Sequence, residues 1–169
     1  MTIHDTHPFA AGQPRRPLRR FRGRLPAPVT IWAADREGSP AGLTVSSMLV
    51  ADGEPGEVAG LIDPASDLFD ALVERRCWAV SLLSYGDRQL SDAMAGLAPA
   101  PGGPFRLARW RETEWGPVLA TAPGWLGARL LGEPVEAGWS MLVRGVVEAI
   151  EIDETVAPVA YVRGNYRQL

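Results

Sequence analysis

The chain has 169 residues, enough for one domain with a substantial core, and carries a formal net charge of -3. Its 46% hydrophobic and 22% charged residues are ordinary for a globular protein, and no apolar run approaches the roughly 20 residues of a membrane helix. A single cysteine, Cys77, excludes an intrachain disulfide, and the only histidines, His4 and His7, lie in a polar opening stretch. A Ser-His-Asp triad, a Cys-His pair, a zinc site and a His-ligated haem are therefore not expected inside the fold. Any redox or transfer chemistry is expected from a bound organic cofactor.

Charge is unevenly placed. Residues 1–28 hold Arg15, Arg16, Arg19, Arg20, Arg22 and Arg24 against Asp5, a balance of +5, which leaves -8 for the remainder. A basic arm on an acidic body suits a nucleic acid or a membrane surface. Only Phe21 interleaves aromatic character, however, so the arm reads as a solvated first helix that packs on an acidic body, its own or a partner's. Neither nucleic acid nor membrane is expected as a partner. With no basic segment leading into an apolar stretch at the start, a cytoplasmic location is expected.

Residues 1–14 read as a disordered tail, polar and without periodicity, followed by one domain over 15–169. Pro17 to Arg24 forms a short helix with Leu18, Phe21 and Leu25 on one face, ended by Pro26 and Pro28. Val29 to Ala34 is a strand, 35–41 a hairpin turn, and the strand from Gly42 to Ala51 returns antiparallel. Asp52-Gly53-Glu54-Pro55-Gly56 breaks it before a further strand, Glu57 to Ile62. Asp63-Pro64 then reads as an N-cap and first helical position, opening a helix to Arg76 whose stripe is Leu68, Phe69, Leu72 and Val73.

Trp78 to Leu83 is an apolar strand, Asp87 to Ala95 a second helix stopped by Gly96, and Ala98 to Pro104 an irregular loop. Arg106 to Trp110, Val118 to Ala120, Gly124 to Leu131, Trp139 to Ile152 (bent at Gly145) and finally Val159 to Val162 read as strands. The fold class is mainly β, a closed or split antiparallel barrel with two or three short flanking helices. Cys77 reads as a small buried apolar residue, and most of the six tryptophans as core or dimer interface.

Thr44, Ser46 and Ser47 place small hydroxyls within an apolar β-run. On a pleated strand Ser46 and Ser47 point to opposite faces, and a buried hydroxyl needs a partner, either neighbouring backbone or a polar ligand. The run Gly42-Leu43-Thr44-Val45-Ser46-Ser47, the proline-bearing turn, the strand ending in Asp63, then Ser66 and a helix resemble the flavin reductase family, whose fold is the FMN-binding split barrel. The ending Tyr161-Val162-Arg163-Gly164-Asn165-Tyr166-Arg167 is similar to that family's usual close. The resemblance spans the chain from about Arg20 onward.

It implies a homodimer that binds FMN (FAD or riboflavin being possible alternatives) and reduces it with NAD(P)H, serving a monooxygenase component. The alternatives are a flavin- or ligand-binding protein of the same fold without turnover, and an interaction module using the arginine arm. The implied cofactor contacts are Thr44, Val45, Ser46, Ser47, Ile62, Asp63, Ser66, Ser140 and Arg163, with no catalytic side chain assigned and no metal. Two departures stand out. Pro64-Ala65-Ser66-Asp67-Leu68 replaces a basic, Ser- and Thr-bearing run, which leaves Arg163 or Arg167 as the cations for a phosphate. Trp139-Ser140 stands where the family often has Asp-His, and the histidine helps to seat the nicotinamide.

Overall fold

The computed structural model describes residues 17–36 and 38–169. The expected tail over 1–14, together with Arg15, Arg16 and Glu37, lies outside them. The main body is one antiparallel sheet. In chain order its strands are β2 (Thr30–Arg36), β3 (Ser39–Val45), β4 (Leu49–Ala51), β5 (Glu57–Ile62), β6 (Cys77–Leu82), β9 (Gly124–Leu130), β10 (Val135–Ala137) and β11 (Ser140–Ile152). Spatially they run β3-β2-β6-β9-β11-β5-β4, with β10 paired to β11. A separate sheet joins β1 (Ala27–Pro28) to β12 (Val159–Val162) and β13 (Asn165–Gln168), and β7 (Trp110–Arg111) pairs with β8 (Val118–Leu119).

The two edge strands of the large sheet, β3 and β4, are consecutive in the chain and only residues 46–48 lie between them. Four Cα steps reach at most about 14 Å. The sheet must therefore curl until its edges nearly meet, giving a half-closed barrel with a seam at Ser46–Met48. The expected strand from Gly42 to Ala51 is accordingly two strands. One stretch of chain cannot pair with β2 on one edge and β5 on the other without breaking its register at the crossing.

Two core clusters fill the curl and its flank. The larger centres on Trp32 and Trp78, both fully buried, stacked at 5.3 Å between ring centroids. Glycine on β5 and β11, which face them across the curl, makes room for them. A Cβ at Gly60 would lie 2.7 Å from the Trp32 ring, and one at Gly145 would lie 2.4 Å from the Trp78 ring. Gly145 therefore serves packing and is not a bend. The irregularity of β11 falls instead between Val147 and Ala149, at Glu148. That extra residue puts Glu148 and Glu151 on the same face, where each takes an arginine and an indole N–H: Arg129 and Trp115 for Glu148, Arg111 and Trp125 for Glu151. These bonds, the arginine's first, hold both carboxyls below the usual range.

The helices are α1 (Pro17–Arg22), α2 (Asp67–Arg75) and α3 (Arg88–Met94). The first buries no residue, so the expected packing of its apolar stripe on the chain's own body does not occur: Leu18 is 79% and Phe21 64% exposed. Helix α2 starts later than expected. Ser66 caps it by accepting the Phe69 amide at 3.2 Å, while the Asp63 carboxylate accepts the Ala65 amide in the turn before it. Leu68 and Leu72 are buried beneath it as its stripe requires, each worth roughly 1.5–3 kcal/mol. Arg76 ends it in the left-handed region.

Two further corrections concern the C-terminal half. Residues 104–107 form a turn of 3-10 helix where a strand over Arg106 to Trp110 was expected, because Pro104 favours a helical start. Strand β13 follows β12 through a tight turn at Arg163 and Gly164, both with positive φ, so Val159–Val162 is not the last strand. Tyr166 of β13 donates to Asp92 of α3 at 2.5 Å, which ties the small sheet to the body.

Candidate functional site

The seam holds two of the hydroxyl-bearing residues singled out in the sequence, Ser46 and Ser47. Ser47 Oγ accepts from the Leu61 amide at 3.1 Å and donates to the Leu61 carbonyl at 3.0 Å, and so closes the gap between the β3–β4 link and β5. Ser46 is exposed, and among the described residues its hydroxyl has no partner. The two serines lie in the crossing and not in the middle of a strand, and neither side chain enters the core. The pleat argument for one buried hydroxyl therefore does not apply.

Across the seam, Leu61 pairs with Leu142 of β11, which pairs in turn with Val135 of β10. Directly opposed residues share a face. An apolar row, Val135–Leu142–Leu61, thus runs to the seam and ends at the Ser47 hydroxyl. Leu61 is 42% and Val135 62% exposed. One step beyond the last β5–β11 pair, Ile62 with Met141, come Asp63 and Ser140. Trp139, next to Ser140, is 83% exposed. Asp63 then leads through Pro64 and Ala65 to the Ser66 cap, where the Asp67 and Leu68 amides of the first helical turn are the donors left for an anion.

Not every expected contact offers its side chain. The Thr44 hydroxyl donates to the Ser91 carbonyl of α3 at 2.7 Å, and Val45 and Ile62 are buried in the main core. Val45 and Ile62 can meet a ligand only through their backbone, and the Thr44 hydroxyl has its proton committed to α3. Arg163 lies in the small sheet, at the β12–β13 turn, where its amide donates to the Gly23 carbonyl at 2.7 Å. Among the described residues no contact joins it to the seam. Cys77 is buried and burial pushes its thiol up, as fits an inert core residue.

The seam's electrostatics favour a ring and a polyol over a phosphate dianion. Asp63 and Asp67 both stand at the α2 end, and Arg36, which lines a cleft with Asp67, bonds to Asp70 of α2 at 3.4 Å. Sequence reasoning missed Leu61, because its role follows from the register of β5 against the seam. It also missed Phe105, whose ring closes over Gly42 from a distant loop: a Cβ at Gly42 would lie 2.8 Å from it.

Comparison with known proteins follows the same line. The reductase component of the FADH(2)-dependent resorcinol hydroxylase of Rhizobium sp. (strain MTP-10005) is 26% identical over 167 residues, covering 97% of this chain and 90% of that protein. The flavin reductase PheA2 superposes with a TM-score of 0.82 at 24% identity, over 93% of this chain and 99% of its own. The Streptomyces globisporus C-1027 NADH:FAD oxidoreductase SgcE6, in complex with NAD and FAD fragments, gives 0.81 at 21% identity over 90% of each chain. The family model described as flavin reductase like domain matches residues 22–169. With that match over most of its length, this chain belongs to the flavin reductase like family.

Proposed function

We propose that the protein is an NAD(P)H-dependent flavin oxidoreductase, a homodimer in the cytoplasm that supplies reduced flavin to a monooxygenase component. A bound flavin brings the chemistry, accepting a hydride from the nicotinamide and carrying it onward; the protein binds, orients and shields. The observation that carries the reading is the apolar row Val135–Leu142–Leu61 ending at the Ser47 and Ser46 hydroxyls. A flat ring needs such an apolar strip, and the polyol beside it needs free hydroxyls and backbone donors. The Ser46 hydroxyl has no partner among the described residues, and Ser140 and Asp63 border the strip at its far end.

Dimerisation rests on the same region. Leu49, Val50, Val135 and Trp139 are 73%, 64%, 62% and 83% exposed. Exposed side chains of that kind are what an isologous interface covers, and a second copy laid there would roof the ring strip. The relatives support the ligands: a reductase component in one case, an NADH:FAD oxidoreductase with fragments of both nucleotides in another.

One observation favours a second reading, a flavin-binding protein without turnover. Ser140 supplies no imidazole beside the strip, so the nicotinamide has one fewer partner there. Anaerobic mixing of the protein with NADH or NADPH and either FMN or FAD separates the two. Bleaching of the visible flavin band under turnover supports the reductase. Flavin binding without bleaching by either nicotinamide supports the second reading.

A further inference from the structure

We propose that α1 is an exchanged arm, docking on a second copy of this chain at the end of β11, with its apolar side chains on Ile150 and Ile152 and its arginines on Asp153 and Glu154. The inference rests on the homodimer of the reading above and not on its flavin. It joins two surfaces to which the flavin gives no role. Helix α1 lies ahead of the region matched to the family, save for Arg22.

The two surfaces are complementary in charge, and both are apolar between their charges. Residues 18–25, LRRFRGRL, carry four arginines and no acidic residue around Leu18, Phe21 and Leu25. Residues 148–154, EAIEIDE, carry four carboxylates and no basic residue around Ile150 and Ile152. Arg129 and Arg111 neutralise Glu148 and Glu151, which leaves Asp153 and Glu154 without an arginine among the described residues. Asp153 accepts from the Thr155 hydroxyl and amide, bonds that hold its carboxyl below the usual range and keep it charged. On the arm, Arg20, Phe21 and Arg24 line one notch with Pro17, so a carboxylate seated between the guanidiniums brings its neighbours against the ring.

Each surface is held in place, yet its own chain does not cover it. The Arg163 amide donates to the Gly23 carbonyl and β1 pairs with β12, which fixes the base of α1 while the helix buries no residue. Strand β5 pairs with β11 only over 141–146. Along 148–152, β9 lies on one side and no strand of the described residues lies on the other. Ile150 and Ile152 stay exposed beside that open edge, the kind of feature that proteins cover. The arm is tied to the turn that follows β12, whereas Asp153 and Glu154 lead into the start of β12. Two copies about a two-fold axis satisfy both surfaces at once, each arm on the other's strand.

Cross-linking in the full chain tests this. Chains carrying Phe21→Cys and Ile152→Cys are co-expressed, oxidised and run on a non-reducing gel, and the native Cys77 is buried. A disulfide-linked dimer should form from the pair and from neither variant alone. Charge reversal gives a second readout, with Arg20→Glu and Arg24→Glu in one chain, Asp153→Arg and Glu154→Arg in another, and thermal melts confirming that each folds. Each reversed chain alone should dimerise at least about tenfold more weakly than wild type in sedimentation at low salt, because like charges then meet. Mixing the two should restore a dimer, now of unlike chains. A wild-type dimer that forms no cross-link and is indifferent to both reversals overturns the arm and leaves the dimer standing. A wild-type monomer at micromolar concentration overturns both.

Discussion

Replacing Ser46 and Ser47 separately by alanine should give two different phenotypes, although they are neighbours of one type. Ser47 makes two hydrogen bonds with Leu61, at 3.0 and 3.1 Å, between the β3–β4 link and β5. A neutral bond of this kind is worth roughly 0.5–1.5 kcal/mol, and water takes over part of that at an exposed position, so Ser47→Ala should cost about 1 kcal/mol. In a chain of this size that lowers the melting temperature by about 2–4 °C. Ser46 has no partner among the described residues, so Ser46→Ala should leave the melt unchanged. Its effect should fall on flavin affinity, weakened by about three- to tenfold for one lost hydrogen bond. Differential scanning calorimetry and flavin titration on both variants give the readouts. A Ser47→Ala variant with unaltered melting would show that the seam is not closed by this hydroxyl. Unaltered affinity in Ser46→Ala would remove Ser46 from the flavin site.

Gly145→Ala would place a methyl 2.4 Å from the Trp78 ring and 3.0 Å from the Arg129 carbonyl, and the stacked Trp32 blocks the ring's retreat. Overpacking of this kind costs about 1–3 kcal/mol, read as a melt lowered by about 2–12 °C, and Trp78→Phe in the same chain should restore part of it. Burial first, and then the bond to Asp92, raise the Tyr166 hydroxyl above its ordinary value near 10. The folded state therefore favours the neutral phenol. That contribution is fully present below about pH 10 and is lost as the pH rises through the raised value, so Tyr166→Phe should flatten the alkaline limb of stability measured by pH-dependent melts. Light scattering at micromolar concentration should return a dimer, and Trp139→Glu on the exposed apolar region should shift it toward monomer; a wild-type monomer would remove the roof proposed for the ring strip.

How much of this was legible in the sequence depended on whether a feature was local. The α2 stripe, the strand Cys77–Leu82 and the long β11 follow from periodicity and composition, and the structure holds them within a residue or two of their expected bounds. The misplaced start of α2 is also local in origin. Asp63-Pro64 and Ser66 are both good caps, and the turn 63–66 uses Asp63 for itself before Ser66 opens the helix. The seam was not legible. Nothing in Leu43 to Ala51 says that its halves pair with different strands, because the break comes from curling of the whole sheet. Thr44 shows the same limit at the site. Its hydroxyl looked like a ligand contact along the strand, but α3 claims it from a segment 47 residues away. Phe105 and Gly42 form their contact across a comparable distance, and the composition of the 98–104 loop gives no hint of it.

The stacked tryptophans also have an optical consequence. Trp32 and Trp78 are sealed from solvent, and their rings are close enough to couple in the ultraviolet. Trp32 rests against Gly60, the residue before the Leu61 that anchors Ser47. Indole emission overlaps flavin absorption, so a ring seated at the seam should drain light from this pair through resonance energy transfer. Trp139, out in solvent, should emit at longer wavelength and stay accessible to a water-borne quencher such as iodide. The chain thus carries an unlabelled donor that reports occupancy of the seam, and a second emitter that reports whether the outer face is covered.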